Sequence, residues 1–274
     1  MFLEPLVTVL FPINRIDSFS LPALNSILTQ SYRNLEILIL DATISTNVLT
    51  EESFYKLAAK DDRCFIHNLP DDNNLSQNLN FGISIASGDF IARMDADDIS
   101  KENRIEYQMN HLRANPDISV LGTGIEIIGE LIGHKLQGGM VLIPPTRKDD
   151  LLKYCLRGNP MYHPTVIFRK QILDNFKYDE RFNLCQDYEL WTRLLRNSSL
   201  DNLEIPLLLY RLHPNQSGVT RGKDSEYFSS IVRLRHSFWM LSRFREVGLS
   251  LKVVVESIVR ILRSKRSILL KSLH

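Results

Sequence analysis

Cysteine is scarce in this chain. Three residues (Cys64, Cys155 and Cys185) among 274 are too few and too unevenly spaced for a disulfide framework or a zinc cluster. That scarcity fits a reducing compartment. Long apolar runs are missing as well: no stretch of about 18 apolar residues occurs, so nothing reads as a bilayer span. The apolar start MFLEPLVTVLFPI is interrupted by Glu4 and two prolines and has no basic segment before it, so it reads as a first strand and not as a signal peptide. Glycine-rich phosphate cradles are absent. No G-x-G-x-x-G follows a strand and no G-x-x-x-x-G-K-[ST] occurs, which removes dinucleotide and P-loop sites. Gly82-Ile83-Ser84-Ile85-Ala86 comes near the G-x-S-x-G pattern of hydrolases, but it sits within a helical pattern and precedes a strand, the wrong order for that chemistry.

Net charge is nearly absent too, with 33 Lys+Arg against 32 Asp+Glu. The balance hides a division. From Arg221 to His274 there are 12 basic and 4 acidic residues, a net of +8, which leaves −7 on the first 220 residues. An acidic body with a basic tail suggests two surfaces with different partners. The remaining composition, 44% hydrophobic and 24% charged, is that of a globular protein able to bury a sizeable core.

Strand and helix patterns alternate over the first 120 residues. Leu6–Phe11, Leu35–Leu40, Cys64–Asn68, Phe90–Met94 and Ser119–Gly124 read as strands. Leu21–Gln30, Glu51–Lys60, Asn74–Ala86 (with Ser87-Gly88 as its C-cap) and Lys101–Ala114 read as helices. Such alternation predicts an α/β fold with a mostly parallel sheet covered on both faces, and a ligand site beyond the carboxyl ends of its strands. Gly129–Thr146, rich in glycine and containing Pro144-Pro145, reads as a hairpin or loop. Gln186–Arg196 reads as a helix with Leu190, Trp191, Leu194 and Leu195 on its apolar face.

Asp95-Ala96-Asp97-Asp98, at the end of the strand Phe90–Met94, is the strongest chemical signal. Three carboxylates there repel one another unless solvated or holding a cation, and hard ions such as Mg²⁺ and Mn²⁺ prefer oxygen ligands. An acidic turn capping the Lys101 helix is the plainer alternative. Cys185 reads as a buried bystander.

The segment Phe90-Ile-Ala-Arg-Met-Asp-Ala-Asp-Asp98, with Arg104 and Gln108 beyond it, resembles the nucleotide-sugar and metal site of glycosyltransferase family 2. The likeness extends to Val7–Pro12, Leu24–Leu40, His163–Arg169, Tyr178–Phe182, Gln186–Trp191, and Leu209–His213 with Gln216 and Ser217. It implies a GT-A-like sheet flanked by helices and an inverting, metal-dependent sugar transfer. A nucleoside diphosphate sugar would be the donor, and a glycan or lipid-linked saccharide of cell-surface polysaccharide synthesis the acceptor. It implies Asp97, Asp95 and His213 as holders of Mn²⁺ or Mg²⁺, and Asp187 as the general base. Nucleotide-sugar contacts would come from Pro12, Asp41, Arg93, Asp95, Ala96 and Arg211, with His163 and Gln186 on the acceptor side. The plainer readings are a helix N-cap for Asp187, a loop histidine for His213 and charge balance for Arg93.

The chain departs from the family pattern at three places. Asp41-Ala42 stands where two acidic residues are usual, Ile13-Asn14-Arg15 where Tyr-Asn is typical, and Gln186 where an acidic residue usually precedes the base. The first two motivate an alternative: a nucleotide-sugar-binding or scaffold protein of the same pathway that has lost catalysis.

The resulting division is a GT-A-like unit over 1–220, with a nucleotide-sugar half of about 1–125 and an acceptor half of about 126–220, followed by a basic amphipathic extension over 221–274. In the extension, Leu251, Val254, Val255, Ile258, Ile261, Leu262 and Leu269 keep helical spacing among Lys252, Glu256, Arg260, Arg263, Lys265 and Arg266. Ile231–Phe244 mixes aromatic with basic residues. Such helices suit an anionic membrane surface, which predicts a cytoplasmic protein peripheral to the inner face of the cell membrane. Packing on the body or homo-oligomerisation is the competing expectation. Nucleic acid is not expected beside an acidic body.

Overall fold

The structure is a computed structural model that describes residues 4–43, 48–131, 135–216, 220, 222–243 and 245–271, apart from the side chains of 48, 223 and 264–271. Ser217, and the side chains of Lys265, Arg266 and Leu269 in the extension, lie outside the described residues.

Strands β1 (Val7–Ile13), β2 (Leu35–Asp41), β3 (Cys64–Asn68) and β4 (Phe90–Arg93) pair in parallel in the order β3-β2-β1-β4. Their side chains alternate between two apolar layers. Val7, Val9, Phe11, Ile37, Ile39 and Ala92 join one core, and Leu10, Leu38, Leu40 and Ile91 the other. Helices α1 (Ser20–Leu28), α2 (Val48–Ala58) and α4 (Arg104–Ala114) cover the first face through Leu24, Ile27, Phe54 and Met109. Helices α3 (Leu75–Ile85), α5 (Lys148–Tyr154), α6 (Lys170–Asn175) and α7 (Gln186–Asn197) cover the second through Leu79, Ile83, Leu152, Leu173 and Trp191. This three-layer arrangement is why the strands are apolar on both sides.

Beyond β4 the sheet becomes mixed. Strand β8 (Ile167–Arg169) runs antiparallel between β4 and β6 (Ile118–Gly129), and β6 pairs in parallel with β9 (Ser199–Leu212). The long strand β9 has no clear sequence signature: Asp201, Asn202, Glu204 and Pro206 break its apolar pattern, and its register with β6 shifts near Gly124. Its last residues, Leu209–Leu212, are therefore strand and not the closing loop expected there. Within Gly129–Thr146 the expected hairpin is represented by β7 (Val141–Leu142), which returns antiparallel to β6. The two-residue β5 (Ile99–Ser100) pairs antiparallel with β9.

Strand order reverses between the parallel neighbours β1 and β4, with β2 and β3 to one side and β8 to the other. In such sheets the crevice beyond the carboxyl ends at this point receives ligands. The acidic segment leaves β4 at that crevice. Its far end is fixed by buried Gln30, whose Nε2 donates to Lys101 O at 2.8 Å and whose Oε1 accepts from Ile105 N at 3.1 Å.

Helices α8 (Gly222–Ser242) and α9 (Val247–Lys271) pack against each other, and α8 also packs on α7. His236 of α8 donates from Nε2 to Leu152 O at 2.9 Å. Helix α9 buries Ser250, Val253 and Ser257, but Val247, Leu251, Val255, Ile258, Val259 and Leu262 are exposed, Val255 and Leu262 each by 63%. At 100° per residue those six fall within about one third of the helix circumference. Lys252, Glu256, Arg260 and Arg263 flank this stripe.

Candidate active site

The acidic segment does not cap α4. The N-cap residue of that helix is Asn103, with no side-chain bond. Instead Asp98 is fully buried, its Oδ1 accepts the Arg211 backbone N–H at 2.8 Å, and its Oδ2 has no hydrogen-bond partner. Asp95, Asp97 and Asp98 each offer a carboxylate oxygen within 4.8 Å of the others. Burial and then the neighbouring carboxylates raise the pKa of Asp97 and Asp98, that of Asp98 strongly. Such a cluster is held at neutral pH by compensating positive charge or by a proton kept on one of its carboxyls. Part of the positive charge comes from Arg93, buried and ion-paired to Asp95.

The end of β9 closes the cluster from the other side. His213 donates from Nε2 to Asp97 Oδ2 at 3.0 Å, and Arg211 donates from Nε to the Asp97 carbonyl at 2.8 Å. Both side chains rest on Phe19, the Arg211 guanidinium 4.6 Å from the ring centre. Gln216 bonds the Arg211 carbonyl and accepts from His213 N, fixing the turn. His213 is therefore not a free loop histidine.

A cleft of about 500 Å³ opens in front of this cluster, lined by Asp95, Asp97, Arg93, His163, Gln186 and Asp187 among others. Asp187 is on the second residue of α7. The N-cap position belongs to Cys185, which makes no capping bond and is held at φ +58. Asp187 Oδ2 accepts from Asn159 Nδ2 at 2.6 Å. Burial pushes the Asp187 carboxyl above the ordinary aspartate value, opposed by hydrogen bonds from the Tyr188 backbone and Asn159. Cys185 is half-buried rather than buried, and its thiol is pushed up to about 11 by burial. It is a neutral wall of the cleft.

His163 is buried against Trp191 and hydrogen-bonded through Nε2 to Tyr178 Oη at 2.8 Å. Burial, then the Arg93 charge, holds its pKa well below the ordinary histidine value, so it is neutral. The nucleotide-side residues are more dispersed. Pro12 pairs with Leu40 inside the sheet, and Ala96 is half-buried over the first core. Asp41 is buried, with Oδ1 accepting from Thr43 N and Oγ1 and Oδ2 from Tyr55 Oη. Neither Pro12 nor Asp41 lines the cleft described above.

Sequence reasoning missed Asn159, Tyr162, Tyr210 and, from α8, Ser225, Ser229 and Arg233, all of which line the cleft. Tyr210 lies in the Leu209–His213 motif and Arg233 in the basic stretch Ile231–Phe244, but neither pattern singles them out, and only folding brings all six to one cleft. Arg104 and Gln108 were legible but do another job. Arg104 Nη1 donates to the carbonyls of Arg93 and Pro164, and Gln108 Nε2 donates to those of Leu121 and Thr165. They tie β4, β6 and the segment before β8 together beneath the cluster. Burial lowers the Arg104 pKa to about 9.

The O-antigen biosynthesis glycosyltransferase WbnJ of Escherichia coli is 31% identical over 76% of this chain and 80% of its own. Among solved structures, S. aureus TarS 1-349 in complex with UDP-GlcNAc superposes with a TM-score of 0.65 at 15% identity, over 93% of this chain and 72% of that one. The mannosyltransferase PcManGT of Pyrobaculum calidifontis, in complex with GDP-Man and Mn²⁺, gives 0.63 at 11% identity, over 98% and 76%. The fold is the GT-A type expected from the motifs. The model of glycosyl transferase family 2 matches residues 14–176, more than half of the chain, so the protein belongs to that family and is a glycosyltransferase.

Proposed function

We propose that this protein transfers a sugar, with inversion, from a nucleoside diphosphate sugar to a hydroxyl of a glycan or lipid-linked saccharide during surface polysaccharide assembly. The observation that carries the reading is that Asp95 and Asp97 of the acidic cluster line one cleft with Asp187. A leaving group and an attacking group need such opposed supports. Asp187 removes the proton from the acceptor hydroxyl, whose oxygen bonds to the anomeric carbon while the carbon–oxygen bond to the diphosphate breaks and its electron pair leaves with the diphosphate. One in-line displacement inverts the carbon. The raised pKa of Asp187 makes it a stronger base than an exposed aspartate, and Asn159 orients it.

The donor set fits a divalent cation. It offers hard oxygens within 4.8 Å of one another, and a buried Asp98 oxygen without a donor. Asp95, Asp97 and Asp98 would hold Mn²⁺ or Mg²⁺, with His213 beside Asp97. When bound, the ion offsets charge developing on the leaving diphosphate. Arg93 keeps Asp95 in place, and Arg211 and Phe19 support the wall. Pro12, Asp41 and Ala96 belong to the nucleotide side of this reading, His163 and Gln186 to the acceptor side.

In the same reading residues 1–220 are the catalytic unit, and 221–274 attach it to an anionic membrane face through the exposed stripe of α9. No helix among the described residues is long and apolar enough to cross a membrane.

The test is release of nucleoside diphosphate from a panel of sugar donors with Mn²⁺. Wild type should turn over, Asp97→Ala should lose Mn²⁺-dependent donor binding, and Asp187→Asn should bind donor without transfer. Transfer at the wild-type rate by Asp187→Asn would refute the assignment of the base. Donor binding by wild type with no transfer to a broad acceptor panel would instead favour a scaffold that has lost catalysis.

A further inference from the structure

Two cations in the cleft have no role in the chemistry above. Arg157 and Arg233 line it, Arg157 from the turn after α5 and Arg233 from α8. Neither is ion-paired to a carboxylate among the described residues. Arg233 donates only to neutral acceptors: the Ser229 carbonyl at 3.3 Å and the Ser229 and Ser230 hydroxyls at 3.4 Å each. Glu226 and Glu256 act on it only electrostatically and are ion-paired elsewhere, with Arg260 and Lys252. Arg233 is half-buried, and burial disfavours its charge. A half-buried guanidinium without a counter-ion is stabilised by any anion that reaches it.

Their position selects the anion. Arg157 is two residues from Asn159, which holds Asp187. Arg233 acts electrostatically on Cys185 and Tyr188, on either side of Asp187. Both therefore stand by the group that receives the acceptor. Arg233 also belongs to the helix on which α9 packs, and α9 carries the exposed apolar stripe. A ligand reaching from that stripe to Asp187 is apolar at one end and bears its hydroxyl at the other, with an anion between them.

We propose that Arg157 and Arg233 form an acceptor subsite for the phosphate or diphosphate that joins a saccharide to a lipid. Guanidinium forks match phosphate oxygens bidentately, and two of them suit a multiply charged group. The subsite rests on the transferase reading for its purpose, but its ligand chemistry can be measured without transfer.

The experiment is calorimetric titration of the full chain with farnesyl diphosphate in EDTA, where the metal-free acidic cluster repels diphosphate. Farnesol and inorganic pyrophosphate are titrated alongside. Wild type should bind farnesyl diphosphate more tightly than either. Arg157→Gln and Arg233→Gln should each weaken it by about tenfold, the loss of one charge-assisted contact. Arg233→Lys should fall between wild type and Arg233→Gln. Arg157 is exposed, so Arg157→Gln tests the idea even if changes at Arg233 disturb folding. Unchanged binding in the double variant, or farnesol binding as tightly, overturns the subsite. Pyrophosphate binding as tightly as farnesyl diphosphate overturns its lipid-linked source. A parallel titration of wild type with sugar nucleotides and Mn²⁺ separates the two readings: no binding there alongside intact farnesyl diphosphate binding rejects the transferase site and not this one.

Discussion

Asp187 and Asn159 form the smallest unit with a functional consequence. A raised carboxyl pKa means that Asp187, the proposed base, is still partly protonated at pH values where an exposed aspartate is fully ionised. The acid limb of the pH–rate profile should therefore lie above the ordinary aspartate value of 3.8. The Asn159 amide donates to the ionised carboxylate and so holds that pKa down. Asn159→Ala should move the acid limb further up and lower kcat by roughly tenfold, the loss of one charged hydrogen bond. A limb that stays in place would mean that Asn159 does not touch the ionised base during turnover. Asp187→Asn should lose about 10² to 10⁴ in kcat while nucleotide affinity holds.

At the scale of elements, two contacts decide whether the layers close. Gly88 follows α3, whose C-cap is Ala86 and not the Ser87-Gly88 pair expected from the sequence. Helix α3 ends at Ala86 in an extended conformation, and a Cβ at position 88 would lie 2.7 Å from Thr8 N and 2.8 Å from Leu6 O. The backbone of β1 cannot give way, so Gly88→Ala should destabilise by about 2 kcal/mol and lower Tm by roughly 5 °C in a calorimetric scan. The second contact docks α8. His236 is buried, and burial lowers its pKa from 6.5 to about 4. Below pH 6.5 the unfolded chain takes up a proton that the folded one refuses until about pH 4, so stability is full above 6.5 and is lost as pH falls through that window. The loss should reach up to about 3 kcal/mol. Urea denaturation at pH 7 and pH 5 should show it, and His236→Gln should flatten the difference.

For the whole molecule, the division of charge acquires a geometry. The basic extension packs on α7 through α8, and still presents an apolar stripe on α9. Packing and the proposed membrane contact would thus use two faces of one helix pair. Replacing Leu251, Val255 and Leu262 with Ser should reduce sedimentation with anionic vesicles at least several-fold and leave Tm within about 2 °C, because these side chains are exposed. Removal of Leu249–His274 should reduce it further. Vesicle binding that survives both changes would assign the stripe to contact between protomers.

The amino-acid sequence by itself determined the parallel half of the sheet, since buried strands are continuous apolar runs and LEILIL admits little else. It also located the acidic cluster and Asp187, because a motif keeps its spacing whatever surrounds it. Its silence began where contacts are long-range. Strand β9 has its apolar pattern broken by Asp201, Asn202, Glu204 and Pro206, and is a strand because β6 pairs with it. Asn159, Tyr162 and Arg233 have no local signal, and acquire one only when the turn after α5, the segment before β8 and α8 meet at the cleft. Tertiary structure likewise fixed Asp41 on Thr43 and Tyr55, and turned His213 from a loop residue into a partner of Asp97. Local pattern encodes secondary structure and motif, whereas a side chain's charge state and orientation depend on neighbours that only the folded chain supplies.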